Sequence, residues 1–312
     1  MNNRVRRLLQ GSFFLIVVGL IGLLRFIYLA PETAARLAVE GERERAGLVR
    51  KEVKVGELTY VYLDGGQGEP LVLLHGFGAN KDNFARVAKY LTPHYRVIAP
   101  DHIGFGESSK PQDADYAPPA QAQRLHQFIA ALGLSSVHVG GSSMGGHIGA
   151  TWAAAYPQEV KSLWLLGAAG IWSAPPSELA TRMKSGEGNL LTARTTDDFA
   201  RVFAFVMSQP PYIPRPILDV FAQERIRNYD LEQRIFTQLL SDSIEERIRG
   251  LPTPGLVVTG DQDRAIHPDT AKIYGQLLPK SQVLVYPEVG HLPMMENVQG
   301  SAEDYLKFRS SL

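Results

Sequence analysis

Hydrophobic and polar positions divide this chain into two unequal stretches. Up to residue 30 the pattern is almost wholly apolar. Arg4, Arg6 and Arg7 precede Leu8-Leu9, Phe13 to Leu24 runs without a charge, Arg25 interrupts, and Phe26-Ile27-Tyr28-Leu29-Ala30 resume. A helix from Leu8 to Leu29 would span about 33 Å at ~1.5 Å per residue, the thickness of one bilayer core. Because the stretch is apolar all round, it does not suit one face of a globular core. Residues 1–30 are therefore expected to form a transmembrane anchor. A cleaved signal peptide is the competing reading. Arg25 lies where a cleavage region should be neutral, no A-x-A follows, and Pro31 would directly follow the scissile bond.

Pro31 to Ala46 predicts a second helix, with Pro31 at the first position, Glu32 at the positive end and Gly47 as the stop. Glu32, Arg36 and Glu40 form a ladder at four-residue steps, while Ala35, Leu37 and Val39 give only a modest apolar stripe. Residues 31–50 thus read either as a solvated spacer or as a juxtamembrane helix that packs on a partner or sets the height above the membrane.

After residue 50 short β-rich runs alternate with helical stretches. Glu57–Leu63 alternates like a hairpin arm, and Leu71–Leu74, Arg96–Ala99, Val137–Val139, Leu163–Leu166, Leu256–Thr259 and Val283–Tyr286 are brief apolar runs. Asp82–Leu91, Ala120–Leu132 and Met144–Tyr156 read as helices between them. The pattern predicts an α/β core, a mostly parallel sheet flanked by helices, over residues 51–173 and 251–312. Residues 174–250 are too many for a plain loop. Pro210-Pro211-Tyr212-Ile213-Pro214-Arg215-Pro216 forms a stiff turn within them.

Composition narrows the chemistry. Lys+Arg and Asp+Glu balance at 32 each, which leaves no basic field for nucleic acid. Cysteine is absent, so disulfides and thiol catalysis are excluded. The eight His are scattered without H-E-x-x-H spacing, and neither a metal nor a cofactor is expected.

Val137-His138-Val139-Gly140-Gly141-Ser142-Ser143-Met144-Gly145-Gly146-His147 carries the strongest signal. It holds G-x-S-x-G as Gly141, Ser143 and Gly145, after a strand and before a helix. A nucleophile on a strained strand-to-helix turn needs small residues two before and two after it. Reading Ser142 as the nucleophile would require Gly at 144, which is Met. Upstream, Leu71–Leu74 ends in His75-Gly76-Phe77-Gly78, an oxyanion-loop pattern. The backbone N–H groups of Phe77 and Met144 are the expected oxyanion donors, and His75 is expected to be structural.

A serine alkoxide needs a base and an orienting acid. Leu256–Thr259 leads into Gly260-Asp261-Gln262-Asp263, and Val283–Tyr286 leads to Gly290-His291, both at C-terminal strand ends. His291 is the expected base. Spacing alone does not separate Asp261 from Asp263. His147 is a weaker rival base because the following helix turns it away; His102, His126, His138 and His267 read as surface or packing residues.

With these residues the chain resembles bacterial lipases of the α/β-hydrolase superfamily related to monoacylglycerol lipases, including membrane-bound phospholipase A enzymes. The matching stretches are Leu73 to Phe84, Asp101 to Lys110, the Ser143 elbow, Ser162 to Leu166, Phe205-Val206-Met207 and Pro210 to Pro214. The resemblance implies Asp263 as the acid, a helical cap over residues 174–250, and hydrolysis of lipid or fatty-acyl esters. Phe203, Met207, Ile213 and Phe221 are candidates for an acyl groove, with Phe205, Val206 and Ile217 beside them.

Two other readings stand. A meta-cleavage-type C–C bond hydrolase shares the Ser-Met-Gly-Gly elbow, but Leu292-Pro293-Met294-Met295 lacks that family's usual aromatic residue. A noncatalytic hydrolase-fold receptor would normally have lost a triad member, and none is lost. The three N-terminal Arg favour a single-pass protein of the bacterial inner membrane with its catalytic body in the periplasm. Gly19 and Gly22 do not make G-x-x-x-G, so a homodimer through this helix has no motif behind it.

Overall fold

The computed structural model describes residues 3–312. Eight strands form one sheet: β1 Leu48–Val55, β2 Leu58–Gly65, β3 Glu69–Leu74, β4 Tyr95–Pro100, β5 Val137–Ser142, β6 Val160–Leu166, β7 Gly255–Gly260 and β8 Ser281–Tyr286. Their order is β1-β2-β4-β3-β5-β6-β7-β8. β1 and β2 pair antiparallel, as do β2 and β4, and every later pair is parallel.

The helices, in chain order, begin with α1 Asn3–Leu29, α2 Pro31–Arg45, α3 Ala85–Leu91, α4 Pro118–Ala131 and α5 Met144–Ala155. Between β6 and β7 come α6 Glu178–Lys184, α7 Thr196–Val206, α8 Arg215–Arg227, α9 Tyr229–Leu240 and α10 Glu245–Ile248. α11 Asp269–Leu277, α12 Pro293–Glu296 and α13 Val298–Ser310 complete the chain. The expected helix over Asp82–Leu91 opens as a 3₁₀ turn, Lys81–Phe84, before α3.

Strand periodicity sorts the core into two layers. Val72, Leu74, Val139, Leu163 and Leu165 face Phe128, Ile148, Trp152 and Tyr274 of α4, α5 and α11. Leu71, Leu73, Trp164, Leu166 and Val258 face Val87, Leu91, Tyr305 and Phe308 of α3 and α13. β8 departs from the expected buried strand: it is the sheet edge, and Val283 and Val285 are exposed.

α1 is long and apolar enough to cross a membrane. Its Ser12–Leu29 window has mean hydropathy 2.3 and is not buried by the rest of the protein. α2 behaves differently, and it is not a solvated spacer. Ala34 and Ala35 are buried, and α2 rests on α8, α3 and β1 of its own chain. Arg43 donates from Nε and Nη2 to the two carboxylate oxygens of Asp82, at 2.6 and 2.8 Å.

The expected 31–50 segment also needs correction, because the helix ends at Arg45 and Leu48 already belongs to β1. Gly47, at φ 63°, turns the chain into that strand. β1 escaped the hydrophobic pattern because Arg50, Lys51, Glu52 and Lys54 decorate an edge, where charges deter pairing with other chains.

Candidate active site

β5 delivers Ser143 to a turn that side chains rarely adopt. Ser143 has φ 53° and ψ −118° and leads straight into α5. Its neighbours explain the glycines. A Cβ on Gly141 would lie 2.4 Å from the Gly145 carbonyl oxygen, and one on Gly145 would lie 2.1 Å from that of Leu74. The turn is tied to β6, since Ser143 N donates to Leu166 O at 2.9 Å and Ala169 N donates to Ser143 O at 3.1 Å.

The loop after β3 backs onto this turn. A Cβ on Gly76 would sit 3.2 Å from Ser143 Cβ. His75 holds the loop from beneath: its Nδ1–H donates to Gly76 O at 2.8 Å, and its Nε2 accepts from His102 N at 3.0 Å. Complete burial pushes its pKa down to about 4, so the ring is a neutral strut. Among the described residues, the amides of Phe77 and Met144 donate to no protein acceptor.

The two acids that spacing left together have separate partners. Asp263 Oδ1 accepts from the amides of Ala265 and Ile266 at 2.9 Å each, leaving Oδ2 for His291 Nδ1 at 2.8 Å. Asp261 is exposed and accepts from Glu288 N at 2.8 Å, supporting a residue at φ 59°. The imidazole therefore meets Asp263, with Nδ1 engaged and Nε2 left for the cleft. Burial alone would favour a neutral His291, but the charge and hydrogen bond of Asp263, with Glu296 behind it, outweigh burial and raise its pKa.

The chain belongs to the α/β-hydrolase fold family. That family matches residues 69–298. Lipase 1 of Psychrobacter immobilis is 44% identical over 293 residues, covering 91% of each chain. A crystal structure of a membrane phospholipase A, described as a bacterial virulence factor, superposes with a TM-score of 0.87 at 37% identity, covering 98% of both chains. A 2-hydroxy-6-oxo-6-(2'-aminophenyl)hexa-2,4-dienoic acid hydrolase of Metapseudomonas resinovorans is 31% identical over 281 residues, covering 86% of this chain and 93% of its own.

The remaining histidines of this α/β-hydrolase lie elsewhere. His147 Nε2 meets Asp242 at 2.9 Å, and burial lowers its pKa despite that carboxylate. His126 contacts Glu159, His138 lies between Ser162 and Glu69, His267 is near Asp269, and His102 is buried against His75. None lines the cleft above Ser143. Among the described residues no His, Asp or Glu cluster could hold a metal ion.

The cleft has a volume of ≈ 530 Å³, and both Ser143 and His291 line it. Phe203, Met207, Ile213 and Phe221 all lie on its wall, as does Val206. Phe205 does not; it packs with Leu179, Phe236 and Ala265, and Ile217 is also absent from the wall. The sequence reading missed Phe199 and Val202, which extend the wall along α7. Their spacing with Phe203 and Val206 is i, i+3, i+4, i+7, one helical face, and that signal was present in the sequence.

It also missed two buried charges on the wall. Arg225 Nε donates to Glu232 Oε1 and Oε2 at 2.7 and 2.9 Å, and the guanidinium packs so tightly on Gly78 that a Cβ there would reach it.

Proposed function

We propose that this protein is a membrane-anchored serine hydrolase that cleaves carboxylic esters of lipids through an acyl-Ser143 intermediate. The observation that carries the reading is that His291, held by Asp263 from behind, shares a largely apolar cleft with Ser143 on its strained turn. His291 Nε2 takes the Ser143 Oγ proton as Oγ attacks the ester carbonyl. The oxyanion forms opposite the Phe77 and Met144 amides, donors worth on the order of 3 kcal/mol each to the transition state. His291 then gives its proton to the departing alkoxide. A water, activated by the same ring, releases the fatty acid and restores Ser143.

Residues 174–250 act as a cap whose α7 and α8 side chains receive the acyl chain. Support comes from the lipase relative at 44% identity and from the membrane phospholipase A neighbour. α1 anchors the body to a membrane, and α2, which follows it directly, contributes Val39 and Glu42 to the cleft wall. The N-terminal Arg residues favour a periplasmic body on the inner membrane.

C–C bond hydrolysis is the second reading, favoured by the relative from Metapseudomonas resinovorans. Full-length protein in detergent should be assayed on monoacylglycerols, phospholipids and short esters alongside a meta-cleavage product. Release of fatty acid in preference to C–C cleavage supports the proposal; turnover of the meta-cleavage product alone overturns it. The anchor is tested separately, since alkaline carbonate should leave the intact chain in the membrane pellet.

A further inference from the structure

Glu296 ends the short helix α12, five positions after His291, and no sequence motif singles it out. Its carboxylate is crowded with donors. Oε2 accepts from Ser208 N at 2.7 Å, Gly290 N at 3.1 Å and Gln209 N at 3.4 Å, while Oε1 accepts from Leu292 N at 3.2 Å. Ser208 Oγ lies between Oε2, at 3.0 Å, and the Glu288 carbonyl, at 2.5 Å, and its one proton serves one of them at a time.

Gly290 and Leu292 are the residues on either side of His291. Ser208 and Gln209 follow directly from the end of α7, whose Val206 carbonyl accepts from His291 N at 2.9 Å. One carboxylate therefore satisfies amides from the His291 loop and from the cap at the same time. The approach depends on a glycine, because a Cβ on Gly290 would lie 2.7 Å from Ser208 N and 3.0 Å from Glu296 Oε1.

We infer that Glu296 is a positioning residue, which locks the backbone on both sides of His291 and clamps that loop to the cap end of α7. The inference rests on the reading of His291 as the general base. Ser208 and Gln209 are exposed and their amides can turn to water, but Gly290 and Leu292 are buried, so loss of the carboxylate leaves the amides on either side of His291 short of an acceptor and lets that loop shift. A misplacement near 1 Å at a reacting group costs on the order of 100-fold in rate. The carboxylate also acts through its charge. Asp263 from the β7 loop and Glu296 from α12 are the charged groups acting on the His291 ring, and both favour its protonated form.

The test uses full-length enzyme in detergent, with rates expressed per site titrated by a fluorophosphonate. Glu296→Gln should lower kcat about 10- to 100-fold with KM within about twofold. The acid limb of its kcat–pH profile should move to lower pH. Glu296→Asp keeps the charge but retracts it, so its acid limb should stay in place while kcat falls. A Glu296→Gln enzyme with wild-type kcat per titrated site and an unmoved acid limb overturns the inference. If that variant does not fold, Glu296→Asp with unchanged kcat per site overturns it equally. Failure of the underlying reading looks different: wild-type protein would then take up no fluorophosphonate at Ser143.

Discussion

The two walls of the cleft are held in different ways. On the elbow wall, backbone meets backbone: Gly141, Gly145 and Gly76 leave little or no room for a Cβ, and the proposed oxyanion donors are main-chain amides. On the cap wall, side chains from α7 and α8 fill space, and one buried ion pair, Arg225 with Glu232, anchors α8 to α9. The elbow is a geometric constraint that few sequences satisfy. The cap is a volume to be filled, and many apolar sets fill a volume. Chemistry should therefore be brittle to substitution on the first wall, and selectivity should be adjustable on the second.

A matched pair of substitutions, three single ones and a titration sharpen that contrast. The largest effect is expected on the elbow side, where Asp263→Asn should lower kcat on the order of 10⁴-fold by upsetting the His291 tautomer. Asp261→Asn, two residues away, should stay within a few-fold, and steady-state kinetics of the pair checks it. Gly145→Ala comes next. Its new methyl would meet the Leu74 carbonyl oxygen, so activity should fall with the melting temperature, read by calorimetry beside the assay.

Within the cap, Glu232→Gln strands the buried Arg225 guanidinium, which should cost about 3–5 kcal/mol of stability in denaturant titrations. Phe203→Ala should leave stability closer to wild type and shift the preferred acyl length, by roughly 10-fold in kcat/KM between chain lengths. The smallest effect is one of pH. His291 must be neutral to act as a base, and Asp263 and Glu296, against the opposing effect of burial, hold its pKa above the ordinary 6.5. The rate should thus be low in acid and rise with pH through an apparent pKa above that value.

How much the sequence disclosed follows the same division. The turn at Ser143 was legible because G-x-S-x-G is a backbone requirement written in residue types, and the place of His291 because a strand leads to it. The Asp261–Asp263 choice was not legible from spacing. It depends on which carboxylate meets Ala265, Ile266 and His291 and which meets Glu288 N, contacts between segments that local sequence does not encode. The α7 stripe was readable, yet Phe205 was grouped with the groove candidates although it lies off that stripe and packs with Leu179, Phe236 and Ala265. Charged residues on an edge hid β1. Glu296 left no local trace at all, because its partners are amides near residues 208 and 290 brought together only by folding.

The central claim, that Ser143 is the activated nucleophile of a lipid ester hydrolase, is tested most directly by labelling the full-length protein with a fluorophosphonate and mapping the adduct by peptide mass spectrometry. The account predicts a single adduct on the peptide containing Ser143, lost in Ser143→Ala and slowed strongly in His291→Ala. No adduct on folded wild-type protein, or equal labelling of Ser143→Ala, would contradict it.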